Sequence, residues 1–157
     1  MKVKKSIKLP LTDVEKIYLR KHKVKIIEIC GYTIDELREI LRATPERSAE
    51  IHALATFQIV PSIGLKFAED LVSLGYFAFA ALKNKDGAKL TDEYERKKGY
   101  WIDPCLEDQF RLAIYFANTS DTTKNWWDFT EERKKYRLEN GYPSDRPQKA
   151  WYETKKQ

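Results

Sequence analysis

A short run of turn residues between two amphipathic segments constrains this fold more than any other feature of the sequence. In the stretch FQIVPSIGLKFAEDLVSLGY, an apolar run stops at Pro61 and a second amphipathic segment begins after Gly64. Pro61 fixes φ and cannot continue a helix, and Gly64 tolerates φ and ψ values that other residues avoid. The pattern therefore predicts two helices joined by a very tight hairpin, with Ile63 directed into the core.

The start of the second predicted helix has the properties of an anion-binding site. The first N–H groups of a helix have no intrahelical acceptor, and the helix dipole adds partial positive charge at the same end. A phosphate oxygen suits such a site. Lys66 lies in the first turn of this helix and adds a mobile positive charge.

This stretch resembles the helix-hairpin-helix motif, which holds nucleic-acid backbones without reading bases. The resemblance covers 57–82, and Ser62 stands where the usual motif has its first glycine. A longer resemblance, including LKNKDGAKLTDEYE and DPCLEDQFRLAIYFAN, is to the small bacterial pathogenicity-locus family. It implies a DNA-binding protein whose biochemical activity is poorly defined. The residues expected to contact phosphate are Ser62, Ile63, Gly64, Leu65 and Lys66, with Lys83 and Lys85 at a neighbouring phosphate.

Helix signals also dominate the rest of the chain. Capping residues precede apolar positions at helical spacing, and glycines follow them. The segment 23–30 has the β-branched content of a strand, but the capped helix that follows favours a helix ending near Gly31. In the first helix, Val14, Ile17 and Tyr18 share one face. The predicted N-caps are Thr12, Thr33, Thr44, Thr91 and Asp103, and the predicted ends are Gly31, Gly75, Gly99 and Gly141.

Positive charge is concentrated at the two ends of the chain. The formal net charge is +5, and 42% of the residues are hydrophobic, which is enough for a core. Residues 1–25 hold nine Lys/Arg and two Asp/Glu, residues 26–130 hold twelve and seventeen, and residues 131–157 hold eight and five. The basic ends are candidates for additional phosphate contacts. For Lys2, Lys4, Lys5 and Lys8, a solvated, solubilising terminus is the more common explanation.

Composition also indicates where the protein acts. Cys30 and Cys105 are far apart and form no CxxC motif, as in a reduced, intracellular protein. The chain begins without the apolar region of a signal peptide, and it contains no apolar run long enough for a membrane span. We expect a cytoplasmic protein that binds no cofactor or metal.

An aromatic segment precedes the last basic helix. Trp126, Trp127 and Phe129 come just before Arg133, Lys134, Lys135 and Arg137. Exposed aromatic rings beside such residues can stack on unpaired bases. The favoured alternative is that these rings anchor the C-terminal helix to the core.

Signals for catalysis are few. Neither His22 nor His52 has a carboxylate or cysteine at a spacing typical of a triad or metal site. Cys105 lies in the first turn of a helix, where the dipole lowers a thiol pKa. A reactive Cys105 is therefore the only enzymatic hypothesis, and we favour a protein without catalytic activity.

The sequence thus predicts an all-α, compact multi-helix domain built around a helix-hairpin-helix (SAM-like) motif. We divide the chain into a basic N-terminal arm (1–10), a single helical domain (11–140) and a C-terminal surface tail (141–157). The predicted function is largely sequence-independent DNA binding. The alternative is a protein-interaction module that uses the same hairpin as a scaffold.

Overall fold

The computed structural model describes residues 6–156. The all-α prediction is confirmed, because the only β-type pairing in this range is an isolated bridge between Trp101 and Ala150. Four 3₁₀ helices, Ile26–Gly31, Phe79–Leu82, Trp126–Phe129 and Trp151–Lys156, accompany seven α-helices. Among these helices, none combines the length and hydrophobicity needed to cross a membrane. The α-helices are α1 (Asp13–Lys21), α2 (Ile34–Leu41), α3 (Pro45–Phe57), α4 (Leu65–Ser73), α5 (Gly87–Lys98), α6 (Pro104–Thr119) and α7 (Thr130–Asn140).

Most helix ends lie where the sequence predicted them. Thr12 and Thr33 form capping boxes with Glu15 and Glu36, and each box satisfies backbone N–H groups at a helix start. The side chain of Thr44 accepts from Arg47 N–H. At the end of α4, Gly75 has a φ of +93°, and the N–H groups of residues 75 and 76 donate to the carbonyls of residues 72 and 71. This arrangement is a Schellman motif.

Two predicted elements differ in the structure. Thr91 is not an N-cap: α5 begins at Gly87, and Asp86 caps it by accepting from the N–H groups of residues 88 and 89. Thr91 is buried inside the helix and donates to the carbonyl of Gly87. A Cβ at Gly87 would lie 2.6 Å from Arg111 Cγ, so glycine starts this helix because of a close approach to α6. The segment before Gly31 is helical as predicted, but as a 3₁₀ helix.

The chain forms two compact units, Met1–Ala81 and Leu82–Gln157. A domain in the strict sense is a unit that folds by itself, which unfolding measurements test. The single domain predicted over 11–140 therefore stays a prediction.

The first unit has a core built from its 3₁₀ helix, the first three α-helices and the segment before α1. An amphipathic helix usually places its apolar face in the core. In α1, however, Leu19 and the capping Glu15 are buried, whereas Val14 and Ile17 are exposed. The buried apolar residues of this cluster are Ile7, Leu19, Val24, Ile29, Leu37, Leu41, Ile51 and Ala55.

The segment before α1 is held against the end of α3. Ile7 is buried, and the backbone of Lys8 forms two hydrogen bonds with the side chain of Gln58, at 3.1 and 2.7 Å. These contacts anchor the part of the predicted basic arm that the structure describes. Lys2, Lys4 and Lys5 lie outside the described residues.

One ion-pair cluster joins α1 to α3. Arg47 Nη2 lies 2.8 Å from Glu15 Oε1, and Arg47 Nε donates to Glu15 Oε2 at 2.9 Å. The same guanidinium pairs with Glu50 and donates to the carbonyl of Pro10 at 2.7 Å. Hydrogen bonding to Arg47 holds the pKa of Glu15 below its usual value. The cluster therefore ties both Pro10, before α1, and Glu15, within α1, to the start of α3.

The second unit packs α5 against α6, with the rings of Tyr94 and Phe110 6.0 Å apart. The chain after α7 returns to this unit. Trp101 N–H donates to the carbonyl of residue 149 and Trp151 N–H donates to the carbonyl of Trp101, both at 2.8 Å. Arg146 pairs with the buried Glu95 at 2.9 Å and lies over the ring of Tyr142. The C-terminal segment is thus held by backbone and side-chain contacts.

Buried acidic residues of α5 and α6 hold α7 in place. Arg137 pairs with Glu107 at 2.9 Å and with Asp92 at 3.0 Å, and its guanidinium also reaches the carbonyls of Ala88 and Gly141. Arg133 pairs with Asp108, which is fully buried, at 2.8 Å. Because a buried charge without a partner is costly, these pairs fix which face of α7 meets the unit.

Candidate nucleic-acid interface

The connection between α3 and α4 contains a tight turn at Pro61. Ile63 N–H donates to the carbonyl of Val60 at 3.2 Å, and Ser62 has a φ of +65°. A turn with Pro at its second position and positive φ at its third has the geometry of a type II turn, in which glycine is normally required at the third position. Ser62 therefore takes the left-handed conformation that costs a residue with a Cβ about 1–2 kcal/mol.

This geometry corrects the role predicted for Gly64. Gly64 has a φ of −104° and a ψ of −176°, which is extended backbone that other residues also adopt. No heavy atom lies within 4 Å of where its Cβ would be. Gly64 is therefore not required by the turn, and its effect is to leave open space at the start of α4.

Replacing Ser62 by glycine is expected to raise the free energy of unfolding by about 0.5–1 kcal/mol. Relief of the left-handed strain exceeds the greater freedom that glycine gives the unfolded chain. Urea denaturation measures the change. Ser62→Ala keeps the Cβ and removes the hydroxyl, so it is the matched control and should give no stabilisation. Equal stabilities for glycine and serine at this position would contradict the strain.

Ile63 is buried in the first unit, as predicted. Its exposure is 0%, as are those of Val60 before the turn and Phe57 at the end of α3. The ring of Phe57 meets the ring of Phe79 edge-on, with centroids 5.1 Å apart. The turn is thus supported by apolar contacts on one side, while Gly64 is exposed on the other.

The N-terminus of α4 differs from those of five other helices in lacking a side-chain cap. In α1, α2, α3, α5 and α6 a Thr or Asp side chain accepts from the first backbone N–H groups, whereas Gly64 offers no such acceptor. Leu65 and Lys66 are the first two residues of α4, directly after this exposed glycine. Their positions agree with an anion contact made by backbone N–H groups.

Lys66 is highly exposed and pairs with an acidic residue of its own helix. The Lys66 ammonium lies 3.3 Å from Asp70 Oδ1, and the Lys66 side chain is 85% exposed. The Asp70 carboxylate is itself buried, with a side-chain exposure of 6%, so the pair joins an exposed ammonium to a buried carboxylate. Asp70 was not among the predicted site residues, although its position four residues after Lys66 is a signal for such a pair.

Lys83 and Lys85 belong to the second unit and lie between the 3₁₀ helix Phe79–Leu82 and α5. Both are exposed. Asn84 between them has a φ of +62°, and its N–H donates to the side chain of Asn118 at 3.1 Å. Lys85 also lines an open cavity of about 310 Å³ together with Arg111 and residues of α6 and α7. Their contact with a second phosphate stays a prediction.

Two of the basic residues that follow the aromatic segment hold α7 in place. The guanidinium groups of Arg133 and Arg137 are engaged with buried carboxylates, and Arg137 is 9% exposed. Lys134 and Lys135 are exposed. The acidic partners lie 25, 30 and 45 residues away in sequence. The charge pattern of α7 alone therefore did not reveal that Arg133 and Arg137 form these ion pairs.

The aromatic segment before α7 contributes unevenly to anchoring. Phe129 is half-buried and lies 5.5 Å from the ring of Tyr115 on α6. Trp126 and Trp127 contact each other edge-on, and Trp127 is 55% exposed. Phe129 therefore contributes to anchoring, whereas more than half of Trp127 is exposed to solvent.

Cys105 does not have the properties expected of an activated thiol. It is half-buried, and burial together with a hydrogen bond to Asp103 raises its pKa. The helix dipole lowers the pKa of a thiol at this position, whereas the Asp103 carboxylate, which caps the helix, raises it because it is a negative charge beside the sulfur. Within the described residues, no group of three or more His, Cys, Asp or Glu is arranged to hold a metal ion.

Comparison with known proteins identifies the family. The sequence model of the pathogenicity-locus family matches residues 50–135. The chain belongs to this family. The match covers more than half of the 157 residues. It includes the last part of α3, the turn at Pro61, α4, α5, α6 and the start of α7. No curated protein and no solved structure matches the chain.

Proposed function

We propose that this family member binds the sugar-phosphate backbone of DNA, largely independently of base sequence, through a helix-hairpin-helix formed by α3, the turn at Pro61 and α4. The observation that carries the proposal is the start of α4. It has no side-chain cap, Gly64 is exposed with open space at its Cα, and Lys66 follows in the first turn. A helix start of this kind attracts phosphate through backbone N–H groups and the helix dipole.

In this proposal the N–H groups after Gly64 hold one phosphate and Lys66 neutralises it. Lys66 leaves Asp70 to do so, and the buried carboxylate of Asp70 then loses this contact. The backbone of Lys8 is hydrogen bonded to Gln58, three residues before Pro61. The anchored basic segment thus approaches the same end of α3 and supplies further positive charge. Contact of Lys83 and Lys85 with a second phosphate stays a prediction from the sequence.

A specific observation supports the alternative, a protein-interaction module that uses the hairpin as a scaffold. Asp70 and Glu69 lie one turn beyond Lys66, and Asp70 engages the Lys66 ammonium. Acidic groups beside a phosphate lower affinity, because binding depends on counterions released by Lys and Arg. The two functions differ in their dependence on salt.

We also propose that the protein acts in the cytoplasm and without catalysis of its own. Both cysteines are free thiols in the structure, as in a reducing compartment. The raised pKa of Cys105 favours the neutral thiol over the nucleophilic thiolate.

The test is fluorescence anisotropy with labelled single- and double-stranded DNA of two unrelated sequences. We expect affinity to fall at least about tenfold between ~50 and ~200 mM salt and to differ little between sequences. Lys66→Glu should weaken binding by about tenfold or more, because it places a negative charge beside the phosphate. Asp70→Asn keeps the shape of the side chain and should strengthen binding several-fold, about the reverse of a lost phosphate contact.

Lys89→Glu is the matched control. Lys89 is an exposed lysine in the first turn of α5, but Asp86 already caps that helix start. The charge change equals that of Lys66→Glu, so a specific site at α4 requires a clearly larger loss at Lys66. Equal losses at both positions would assign binding to net charge and overturn the site. An absence of binding at ~50 mM salt would overturn DNA binding in favour of the interaction module.

A further inference from the structure

The first unit exposes a group of large aliphatic side chains around α1. Val14 is 56% and Ile17 is 52% exposed on α1, and Ile26 and Ile27 are 36% and 39% exposed in the following 3₁₀ helix. Single exposed apolar residues are normal, but a contiguous group marks an interaction site more often than chance. Here the group occupies the face that an amphipathic helix normally buries.

A groove lies beside α1, on the side of the helix that carries Lys16 and Arg20. It has a volume of about 260 Å³ and is lined by Leu11, Leu19, Val24, Ile26 and the side chains of Lys16 and Arg20. Leu19 and Val24 are buried and form a fixed apolar floor. A concave apolar site of this size accepts one or two projecting side chains of a partner.

The surroundings of the groove are basic. Lys16, Arg20, Lys21, Lys23 and Lys25 are all exposed. In the described part of the chain, no ion pair within hydrogen-bonding distance is found for any of them. Two nearby acidic residues are committed elsewhere: Glu15 pairs with Arg47, and Glu28 accepts from the backbone N–H of Lys25 at 2.8 Å. A third, Asp13, is exposed at the start of α1, so the surroundings are basic in net charge.

We propose that this groove, with Lys16 and Arg20 on its rim, Ile26 in its lining and Ile17 beside them on α1, binds an acidic amphipathic helix of a partner protein. Apolar side chains of the partner would enter the groove, and its carboxylates would pair with Lys16 and Arg20. These two residues are four apart on α1, so they lie about one helical turn apart on the same face. Recognition of an amphipathic helix by a groove with complementary charge is a recurring mode of peptide binding.

The chemistry of the surface excludes three other occupants. The first five residues of this chain include Lys2, Lys4 and Lys5 and no acidic residue, so they would repel the basic rim. A DNA backbone offers charge for the rim but nothing apolar for the groove. A membrane surface favours a protruding apolar face that enters the lipid, whereas the feature here is concave.

The test uses a designed 18-residue peptide as the probe, with leucines at helical spacing on one face and glutamates elsewhere. Fluorescence anisotropy measures its affinity for the full chain. Two matched probes have the same length: one with lysine in place of every glutamate, and one with the same composition but the leucines distributed around the helix. Vesicles of phosphatidylcholine with phosphatidylserine, and a labelled DNA duplex, complete the set of probes.

Two variants locate the site. Ile17→Asp introduces a charge at a residue that is already half exposed, so the fold should persist, and Leu138→Asp makes the same change at a residue 88% exposed on α7. Lys16→Glu combined with Arg20→Glu reverses the charge of the groove's basic rim. Circular dichroism spectra equal to that of the unmodified chain show that each variant folds.

The expected result is that the acidic amphipathic peptide binds more tightly than either matched probe. Ile17→Asp and the rim reversal should each weaken it at least about tenfold, the change that a loss of about 1.4 kcal/mol produces, while Leu138→Asp leaves it unchanged. Equal affinities for the three peptides, or equal losses in Ile17→Asp and Leu138→Asp, would overturn the proposal. Vesicle or duplex binding that depends on Ile17 while the acidic peptide fails to bind would overturn it as well.

Discussion

Replacing Arg137 by alanine is expected to lower the free energy of unfolding of the second unit by about 3–5 kcal/mol, the usual cost of removing one partner from a buried ion pair. Glu107 and Asp92 would each lose a partner, and Glu107 is 1% exposed. The carbonyls of Ala88 and Gly141 would lose a donor as well. Few single substitutions in this chain remove so many buried contacts.

Chemical denaturation followed by tryptophan fluorescence measures this effect. Lys135→Ala is the matched control, because Lys135 lies on the same helix and is exposed; its effect should stay within about 0.5 kcal/mol. If Arg137→Ala does not fold, Arg137→Lys keeps the charge but loses the planar fork of donors and should show a smaller loss. A loss below about 1 kcal/mol in Arg137→Ala would place the pair among surface contacts and contradict its structural role.

The same experiment tests the single domain predicted over 11–140. All four tryptophans, Trp101, Trp126, Trp127 and Trp151, lie in the second unit, so fluorescence reports on that unit alone. Circular dichroism reports on the helices of both units. If the units form one cooperative domain, Arg137→Ala shifts both transitions together. If they do not, part of the dichroism signal keeps the midpoint of the unmodified chain.

The second large effect concerns Glu15 in the first unit. Glu15→Gln is expected to lower the free energy of unfolding at pH 7 by about 2–3 kcal/mol, between the values for exposed and fully buried ion pairs. The substitution removes the charge that pairs with Arg47, which is itself held by Pro10 and Glu50. It also weakens the reciprocal capping bonds with Thr12 at the start of α1.

This contribution depends on pH with a defined sign. Hydrogen bonding to Arg47 lowers the pKa of Glu15 in the folded chain below the ordinary value of 4.5. The stabilisation is therefore fully present above pH 4.5 and is lost as the pH falls through the lowered pKa of the folded state. Urea denaturation between pH 7 and pH 3 should show a smaller acid-induced loss for Glu15→Gln than for the unmodified chain. Glu39→Gln, the same substitution at an exposed position of α2, is the matched control.

The local elements of this fold could be predicted from the sequence. The caps at Thr12, Thr33, Thr44 and Asp103 and the glycine ends at Gly75, Gly99 and Gly141 lie where predicted. A capping box joins residues three apart, and a Schellman motif joins residues four to five apart, so a short window contains the whole interaction. The one predicted cap that failed, Thr91, lies in a helix that starts four residues earlier, where Asp86 caps it.

The candidate site was predicted in position but not in detail. The sequence located the turn at Pro61 and the helix start at Leu65. It assigned the unusual backbone conformation to Gly64, whereas Ser62 has the positive φ. Both residues are compatible with a turn after proline. Which of them takes the left-handed conformation depends on how Ile63 enters the core.

What the sequence by itself determined is therefore the all-α class, the helix boundaries set by local caps, and the position of the turn between α3 and α4. Only the tertiary structure decided that Arg133 and Arg137 stabilise α7, and that Val14 and Ile17 face outward while Glu15 is buried. The physical reason is the range of the interactions. Arg137 meets Glu107 and Asp92 across 30 and 45 residues of sequence, and Arg47 meets Glu15 across 32. No periodic pattern encodes such pairs, because the partner of a buried charge is chosen by how the helices pack.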